Sequence, residues 1–360
     1  MPIKKIIING FRNLGSTSLH PEEKINVIYG DNGSGKTSFL EAIHILGSGK
    51  SFRTSDNLSI IQKNKEEMSV FAEHAVDNTV NKLGIKKTTS GKRKININNS
   101  TNETLSNLAY ILPIQAITTN SYRIFHDGPK ARRQFLDRGL FHVNPEFVKN
   151  WKEYEKALKQ RNSSLKQRKS RYEIEVWNQT LSDSGERINE LRQSYINELI
   201  PIINNLSTEL LPNSHPINIE YKKGWENSYN IMQLLENNIA RDQILGYTSQ
   251  GPHRSDLEIT TENGKALKNH LSQGQLKLVT YALHLAQDKL LKMKASRNYI
   301  ILVDDITAEM DNNSVEKVYT QLIHTKSQCF ITCIDPKLML QLCKDKDDGL
   351  FHMKHGEINK

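Results

Sequence analysis

The stretch GDNGSGKTSF, Gly30 to Phe39, constrains the fold of this chain more than any other. It follows the β-rich run KINVIYG and leads into SFLEAIHIL, whose apolar residues recur at helical spacing. The pattern Gly30-x-x-x-x-Gly35-Lys36-Thr37, set between a strand and a helix, is a phosphate cradle. Its glycines let the backbone curl so that successive N–H groups face one point, and the helix N-terminus adds a dipole that favours negative charge. Gly30, Asn32, Gly33, Ser34, Gly35, Lys36, Thr37 and Ser38 are therefore candidate binding residues. Lys36 is placed to reach the β- and γ-phosphates, and Thr37 to ligate Mg²⁺. The loop dictates an α/β fold but leaves open what the phosphates are for.

A second element completes such a site. YIILVDDI reads as a buried strand ending in Asp304 and Asp305. Asp304 would hold Mg²⁺ through water, and Asp305 could orient or deprotonate an attacking water. A third element has no use in a simple phosphotransferase. In LSQGQLK, Leu271 to Lys277, Ser272 and Gly274 open a long helix whose free N–H groups have no anion in their own loop. This resembles the Leu-Ser-Gly-Gly-Gln signature of ABC-type ATPases, with Gln273 in place of the first glycine. In that superfamily the signature contacts the γ-phosphate of ATP held by a second copy. TAEMD, Thr307 to Asp311, then falls where those ATPases carry their D-loop.

The rest of the chain supplies context. At 360 residues it can hold one large domain with an insertion, or two domains. Residues 1–145 read as short strands and turns around the first motif, with VNKLGIKKTTSGKRKININN as a hairpin turning at Ser90 and Gly91. From 146 to 245 the texture is helical. Trp151, Tyr154, Leu158 and Leu165 share one face, as do Ile188, Leu191, Tyr195 and Leu199, while Pro201 and Pro212 bracket a further helical piece. The absence of glycine from Trp151 to Ser184 favours long uninterrupted helices. Residues 246–360 return to α/β texture: SDLEITTENGKAL as a hairpin, the long helix, YIILVDD, and QCFITCID as a last core strand. The expected architecture is a nucleotide-binding head with a mixed β-sheet, interrupted by a helical arm.

The net charge of +9 favours anionic partners. Nine Lys or Arg lie between Lys149 and Arg171 (149, 152, 156, 159, 161, 166, 168, 169 and 171), against Glu153 and Glu155. The hairpin adds Lys82, Lys86, Lys87, Lys92, Arg93 and Lys94 with no acid among them. Both clusters suit phosphate-dominated DNA binding, and equally a solvated helix or strand face. Three clustered cysteines without a metal-like pair, no membrane-length apolar run and no signal-peptide core point to a cytoplasmic chain without a membrane role.

Several further stretches carry a resemblance over nearly the whole chain. FRN (Phe11 to Asn13), GDNGSGKTSFLEAIHIL, KSFR (Lys50 to Arg53), GPKARRQFLDRGLF (Gly128 to Phe141), KQRNSSLK (Lys159 to Lys166) and GPHRSDLEI (Gly251 to Ile259) are together similar to the RecF family, bacterial recombination mediators related to Rad50 and the SMC ATPases. The resemblance implies a Rad50-like ABC-type P-loop ATPase head that binds ATP and Mg²⁺. It implies an ATP-dependent homodimer on DNA at single-strand/duplex junctions, a weak DNA-dependent ATPase, and a RecR-type mediator as partner. It also puts Gln115, in LPIQAIT, at the Q-loop position near Mg²⁺ and the attacking water, and Arg12 and Asn13 beside the nucleotide phosphates. Two departures stand out. FITCID lacks the switch histidine of transporter cassettes and offers Thr332 or Asp335 instead, and TTNSYRIF lacks the proline and acid of the family version. The paired aspartates, where related ATPases often place Asp-Glu, imply slow hydrolysis. A transporter cassette fits the basic arm and missing histidine poorly, and the insertion is too short for a long SMC coiled coil.

Overall fold

The computed structural model describes residues 2–360 apart from 57, 77–78, 213–215, 227, 344 and 346. The chain first supplies β1 (Ile3–Asn9), β2 (Thr17–Leu19), β3 (Ile25–Tyr29), α1 (Lys36–Ser48), β4 (Glu67–Val76), β5 (Thr79–Thr88), β6 (Arg93–Ile97), α2 (Leu105–Ile111) and β7 (Ile114–Ile117). Then come α3 (Pro129–Val143), α4 (Pro145–Lys166), α5 (Arg171–Glu175), α6 (Asn178–Leu210), β8 (Ile217–Lys222), α7 (Ile231–Asn237), α8 (Ile239–Leu245) and β9 (Asp256–Thr261). It finishes with α9 (Gln273–Ala295), β10 (Ile300–Val303), α10 (Asn312–Thr325), β11 (Cys329–Cys333), α11 (Lys337–Leu342), β12 (Gly349–Lys354) and β13 (Glu357–Asn359). Two units result. One comprises residues 2–121, Glu209–Leu211 and Gln273–Lys360; the other comprises Tyr122–Thr208 and Pro212–Ser272.

In the first unit an antiparallel sheet, ordered β2-β1-β4-β5-β6, lies beside a sheet ordered β13-β12-β3-β11-β10-β7. The antiparallel strands alternate, as β4 shows with Met68, Val70 and Ala72 buried between half-exposed neighbours. β3, β11, β10 and β7 run parallel and are buried on both faces, which is why they read as unbroken apolar runs. α1 packs between the sheets, joining Ile6, Val70 and Ile85 of one to Ile28, Leu302 and Phe330 of the other in a single core. A helix enclosed on every side reads as a mainly apolar run, FLEAIHIL, and its Glu41 and His44 are buried along with it. The parallel register aligns Val27, Ile331 and Val303, so the carboxyl ends of β3, β11 and β10 meet at one edge. Ligand-binding loops of open α/β sheets gather at such an edge.

Several sequence expectations are corrected. α1 does not stop after Leu46 but continues through Gly47 to Ser48. QCFITCID is not the last core strand, because β12 pairs with β3 on its other side. Pro201 does not open a helix; it lies inside α6. The long helices are interrupted without any glycine: Arg168 turns the chain with a left-handed φ of 51°, and the Ser170/Glu173 capping box restarts it. Residues Ile217–Lys222, read as part of a helical arm, form β8, which pairs with β9. The turn at Glu262 to Gly264 is present, but its returning arm is reduced to one bridge, Thr260 to Ala266.

The second unit is held by charges it has buried. Arg161 is fully buried and donates to Asp242 at 2.7 Å, Thr248 at 2.7 Å and Asn178 at 3.2 Å. Arg192, also fully buried, donates from Nε and Nη2 to the two carboxylate oxygens of Asp137 at 2.9 Å, and its guanidinium lies over Trp151. Arg132 makes two 2.8 Å bonds to Asp256, tying GPKARRQFLD to GPHRSDL.

Candidate functional site

The phosphate loop leaves β3 through Gly30, whose φ of 151° and approach to the Met353 carbonyl exclude a side chain; a Cβ there would lie 2.2 Å from that oxygen. The loop closes into α1 at Lys36. Lys36 Nζ donates to the carbonyls of Gly30 at 2.6 Å and Asp31 at 2.8 Å, and burial lowers its pKa against the opposing pull of Asp305. Thr37 donates its hydroxyl to Asp304 Oδ1 at 2.8 Å, across 267 residues of sequence. That bond joins the two motifs that the sequence set far apart.

A cavity of about 530 Å³ opens over this junction. Of the sequence candidates, Arg12, Asn13, Asn32, Gly33, Gly35, Lys36, Thr37, Ser38, Asp304 and Asp305 line it. Asn13 fastens the loop by donating to the Gly33 carbonyl at 3.0 Å and accepting from Ser38 Oγ at 2.9 Å. Burial raises the pKa of Asp304, while the Thr37 and Thr332 hydroxyls favour its charged form. Thr332 lines the cavity, donates to Asp304 Oδ1 at 3.0 Å and accepts from the Asp305 N–H at 2.8 Å. Asp335 is exposed beside Lys337 and does not line it, so of the two alternatives to a switch histidine only Thr332 is at the site.

Five candidates stand elsewhere than the cavity wall. Gly30 shapes the loop from behind, and the Ser34 side chain is buried under it. Ser272 is exposed just before α9, and Gly274 lies in its first turn. Gln115 is a correction. It pairs with Ile301 in the middle of β7 and is fully buried, its amide nitrogen 2.9 Å from His284 Nδ1 and donating to Gln287 Oε1 at 3.1 Å. Its backbone register points the side chain at α9, so it has no place beside Mg²⁺ or water in this structure.

Sequence reasoning missed Glu41. One helical turn after Thr37, it is fully buried and accepts from Arg12 Nε at 2.5 Å and Nη2 at 2.7 Å, with Arg53 Nη1 at 3.7 Å and the Ser51 hydroxyl also on it. A glutamate in an otherwise apolar helix was the available signal. It fixes Arg12 and gathers Arg53, both of which line the cavity with Lys63. Site and wall are joined by backbone: Arg12 N–H bonds the Ile60 carbonyl at 3.0 Å, and Gln62 N–H bonds Gly10 at 2.8 Å.

The family model described as the RecF/RecN/SMC N terminal domain matches residues 2–359. The DNA replication and repair protein RecF of Shewanella frigidimarina is 38% identical over 359 residues, covering 99% of both chains. RecF of Shewanella woodyi is 37% identical, covering 99% of this chain and 97% of its own. A solved structure of the recombination mediator protein RecF with ATP, of the RecFOR pathway, superposes with a TM-score of 0.85 at 25% identity, covering 100% of this chain and 97% of that one. A Smc head bound to the C-winged helix domain of ScpA shares the fold, with a TM-score of 0.63 at 16% identity over 100% of this chain and 96% of that one. Coverage end to end, at an identity well above chance, leaves one assignment: the chain belongs to the RecF family of DNA replication and repair proteins, with the ABC-type ATPase fold of SMC heads.

Proposed function

We propose that this chain binds ATP with Mg²⁺, dimerises on DNA in response, and hydrolyses the ATP slowly to let go. The observation that carries the reading is the Thr37–Asp304 hydrogen bond beside Lys36, inside a cavity large enough for a nucleotide. Two oxygen donors at one point suit Mg²⁺, which takes one or two protein ligands and completes its octahedron with phosphate and water. Among the described residues no cluster of three or more His, Cys, Asp or Glu offers a protein cage for another metal. When bound there, Mg²⁺ would neutralise charge on the β- and γ-phosphates.

The protein's own groups do the remainder. Loop N–H groups and Lys36 hold the phosphates, and Arg12, clamped by Glu41, adds a fixed positive charge. Asp305 receives a proton from the attacking water, its carboxylate steadied by the Thr307 hydroxyl at 3.1 Å. Ser272, Gly274 and the N-terminus of α9 meet the γ-phosphate held by a second copy, so that ATP joins two heads.

DNA is held through its phosphates. Lys149, Lys152, Lys156, Lys159 and Lys166 are exposed on one face of α4, although Lys159 also pairs with Glu155. Arg161 leaves the count because it is buried. On the hairpin, Lys92, Arg93 and Lys94 are exposed, whereas Lys87 is buried and Lys86 pairs with Glu67. α4 is therefore the stronger candidate surface. Replacing Lys152 and Lys156 by Gln should reduce the salt slope of DNA binding by about 2 and weaken all sequences alike. A RecR-type mediator and a cytoplasmic setting complete the proposal; among the described residues no helix is long and apolar enough to cross a membrane.

Sedimentation with and without ATP, and with gapped DNA, tests the reading. The parent should shift from monomer to dimer with ATP. Ser272→Arg should bind ATP and stay monomeric; an ATP-dependent dimer of that variant would sink the trans-site model.

A further inference from the structure

Lys277 follows the Leu-Ser-Gln-Gly stretch within the first turns of α9 and is buried. Its ammonium donates to two backbone carbonyls of one short segment, Asp305 at 3.0 Å and Ala308 at 2.7 Å. Gly274, three residues earlier and so on the same helix face, presses on that segment too: a Cβ there would lie 2.7 Å from the Glu309 carbonyl oxygen. The gripped segment is not one the chain adopts freely. Asp305 and Glu309 both hold left-handed backbone, with φ of 53° and 62°, at a cost of about 1–2 kcal/mol each for residues with a Cβ. Inside the segment the Ala308 N–H reaches the Asp305 carbonyl at 3.2 Å, and Thr307 bonds the Asp305 carboxylate. A strained turn of this kind keeps its shape when something outside over-determines it. Here that something is the start of α9.

We propose that Lys277 is a positioning residue that links the N-terminus of α9 to the carboxylate of Asp305. The link rests on the ATP-site reading above, in which Asp305 serves its own copy's ATP and the α9 N-terminus engages the ATP of another. Engagement draws the first turn of α9 toward the phosphate, and Lys277 carries the displacement into the backbone of Asp305. The carboxylate reaches its working position only when the helix end is occupied. Dimerisation then licenses hydrolysis within each copy, with no contact between Lys277 and nucleotide. A buried ammonium with two carbonyl partners is suited to this, because releasing either bond would leave a desolvated charge short of acceptors.

The test is Lys277→Met, which keeps the aliphatic stem and removes the donors. ATP affinity and the ATP-dependent dimer should survive, KM should stay within about twofold, and kcat should fall about 10- to 100-fold, as misplacing a reacting group by an ångström does. In an Asp305→Asn background the same substitution should cost nothing further, since the carboxylate it positions is gone. Lys277→Arg, which keeps a buried cation and two or more donors, should recover part of kcat and carries the test if the methionine variant does not fold. A methionine variant with parental kcat, or an equal loss in the Asp305→Asn background, overturns the link alone. A parent chain that neither binds ATP nor dimerises with it overturns the underlying reading as well.

Discussion

The two units of this molecule draw on the same side chains for opposite ends. In the first, Arg12 and Arg53 are gathered by one buried glutamate and face a cavity. In the second, Arg161 and Arg192 are fully buried, each spent on an aspartate of its own unit. An arginine at a cavity wall keeps its field available for a ligand, whereas one sealed inside a helical unit has exchanged water for a fixed set of acceptors. The same residue type therefore lines a cavity in one place and builds a scaffold in the other. Candidate ligand contacts in this chain cannot be counted from its basic residues alone, because Arg161 and Arg192 are fully buried.

The largest effect should come from breaking a scaffold pair. Asp242→Ala leaves Arg161 charged and buried, and also removes the acceptor of the Ser249 N–H at 3.0 Å. A loss of about 3–5 kcal/mol in urea unfolding is expected. ATP affinity of the protein that remains folded should be unchanged. Next is Lys36→Met, which should weaken ATP binding by about 100-fold or more in a fluorescent-nucleotide titration while leaving the unfolding midpoint near the parent value. Glu41→Gln bridges the two cases. It frees Arg12, which is already partly exposed and can rehydrate, so the stability cost should be only about 1–2 kcal/mol and the loss of ATP affinity about tenfold. Were Glu41→Gln to destabilise as severely as Asp242→Ala without touching nucleotide, the division between site and scaffold would fail.

The same division explains what the sequence could disclose. The loop from Gly30 to Thr37 was legible because its chemistry is local: the residues that shape it are the residues proposed to bind. The Asp304–Asp305 pair and the helix after Ser272 were legible as fragments, and the fold then joined the first of them to Thr37. Gln115 was misplaced because its role depends on strand register, and pairing opposite Ile301 turns it into the core. Arg161 was counted as surface charge although its position betrayed it. It falls on the stripe of Tyr154, Leu158 and Leu165, as Arg192 falls on that of Ile188 and Tyr195. A charge on an apolar stripe announces a buried pair, and its partner, distant in sequence, is what the pattern could not name. β8 hid for another reason: its alternation was short and lay inside a helical stretch.

Acid provides the smallest and most discriminating effect, because one buried group in each unit responds with opposite sign. In the second unit His253 Nε2 faces the Thr248 carbonyl at 3.0 Å and so carries the proton, leaving Nδ1 to accept from Tyr154 at 2.7 Å. Burial pushes its pKa down from 6.5 to about 4, with Arg254 and Arg133 adding to the effect. The unfolded chain takes up a proton that the folded one refuses, so stability is lost as pH falls from about 6.5 toward 4. In the first unit burial raises Asp288 to about 6, despite bonds from the Tyr299 N–H and Ser327 Oγ. There the folded chain keeps a proton that the unfolded one releases, so stability is gained over about pH 6 to 4. Each contribution is about 1 kcal/mol at pH 5.5, relative to neutral pH. Hydrogen exchange resolved by segment should show the α4–α8 region loosening between pH 7 and 5.5 and losing that response in His253→Gln. The β10–β11 region should tighten over the same interval and cease to do so in Asp288→Asn. Loosening of both regions together would mean that acid acts through net charge rather than through these two buried groups.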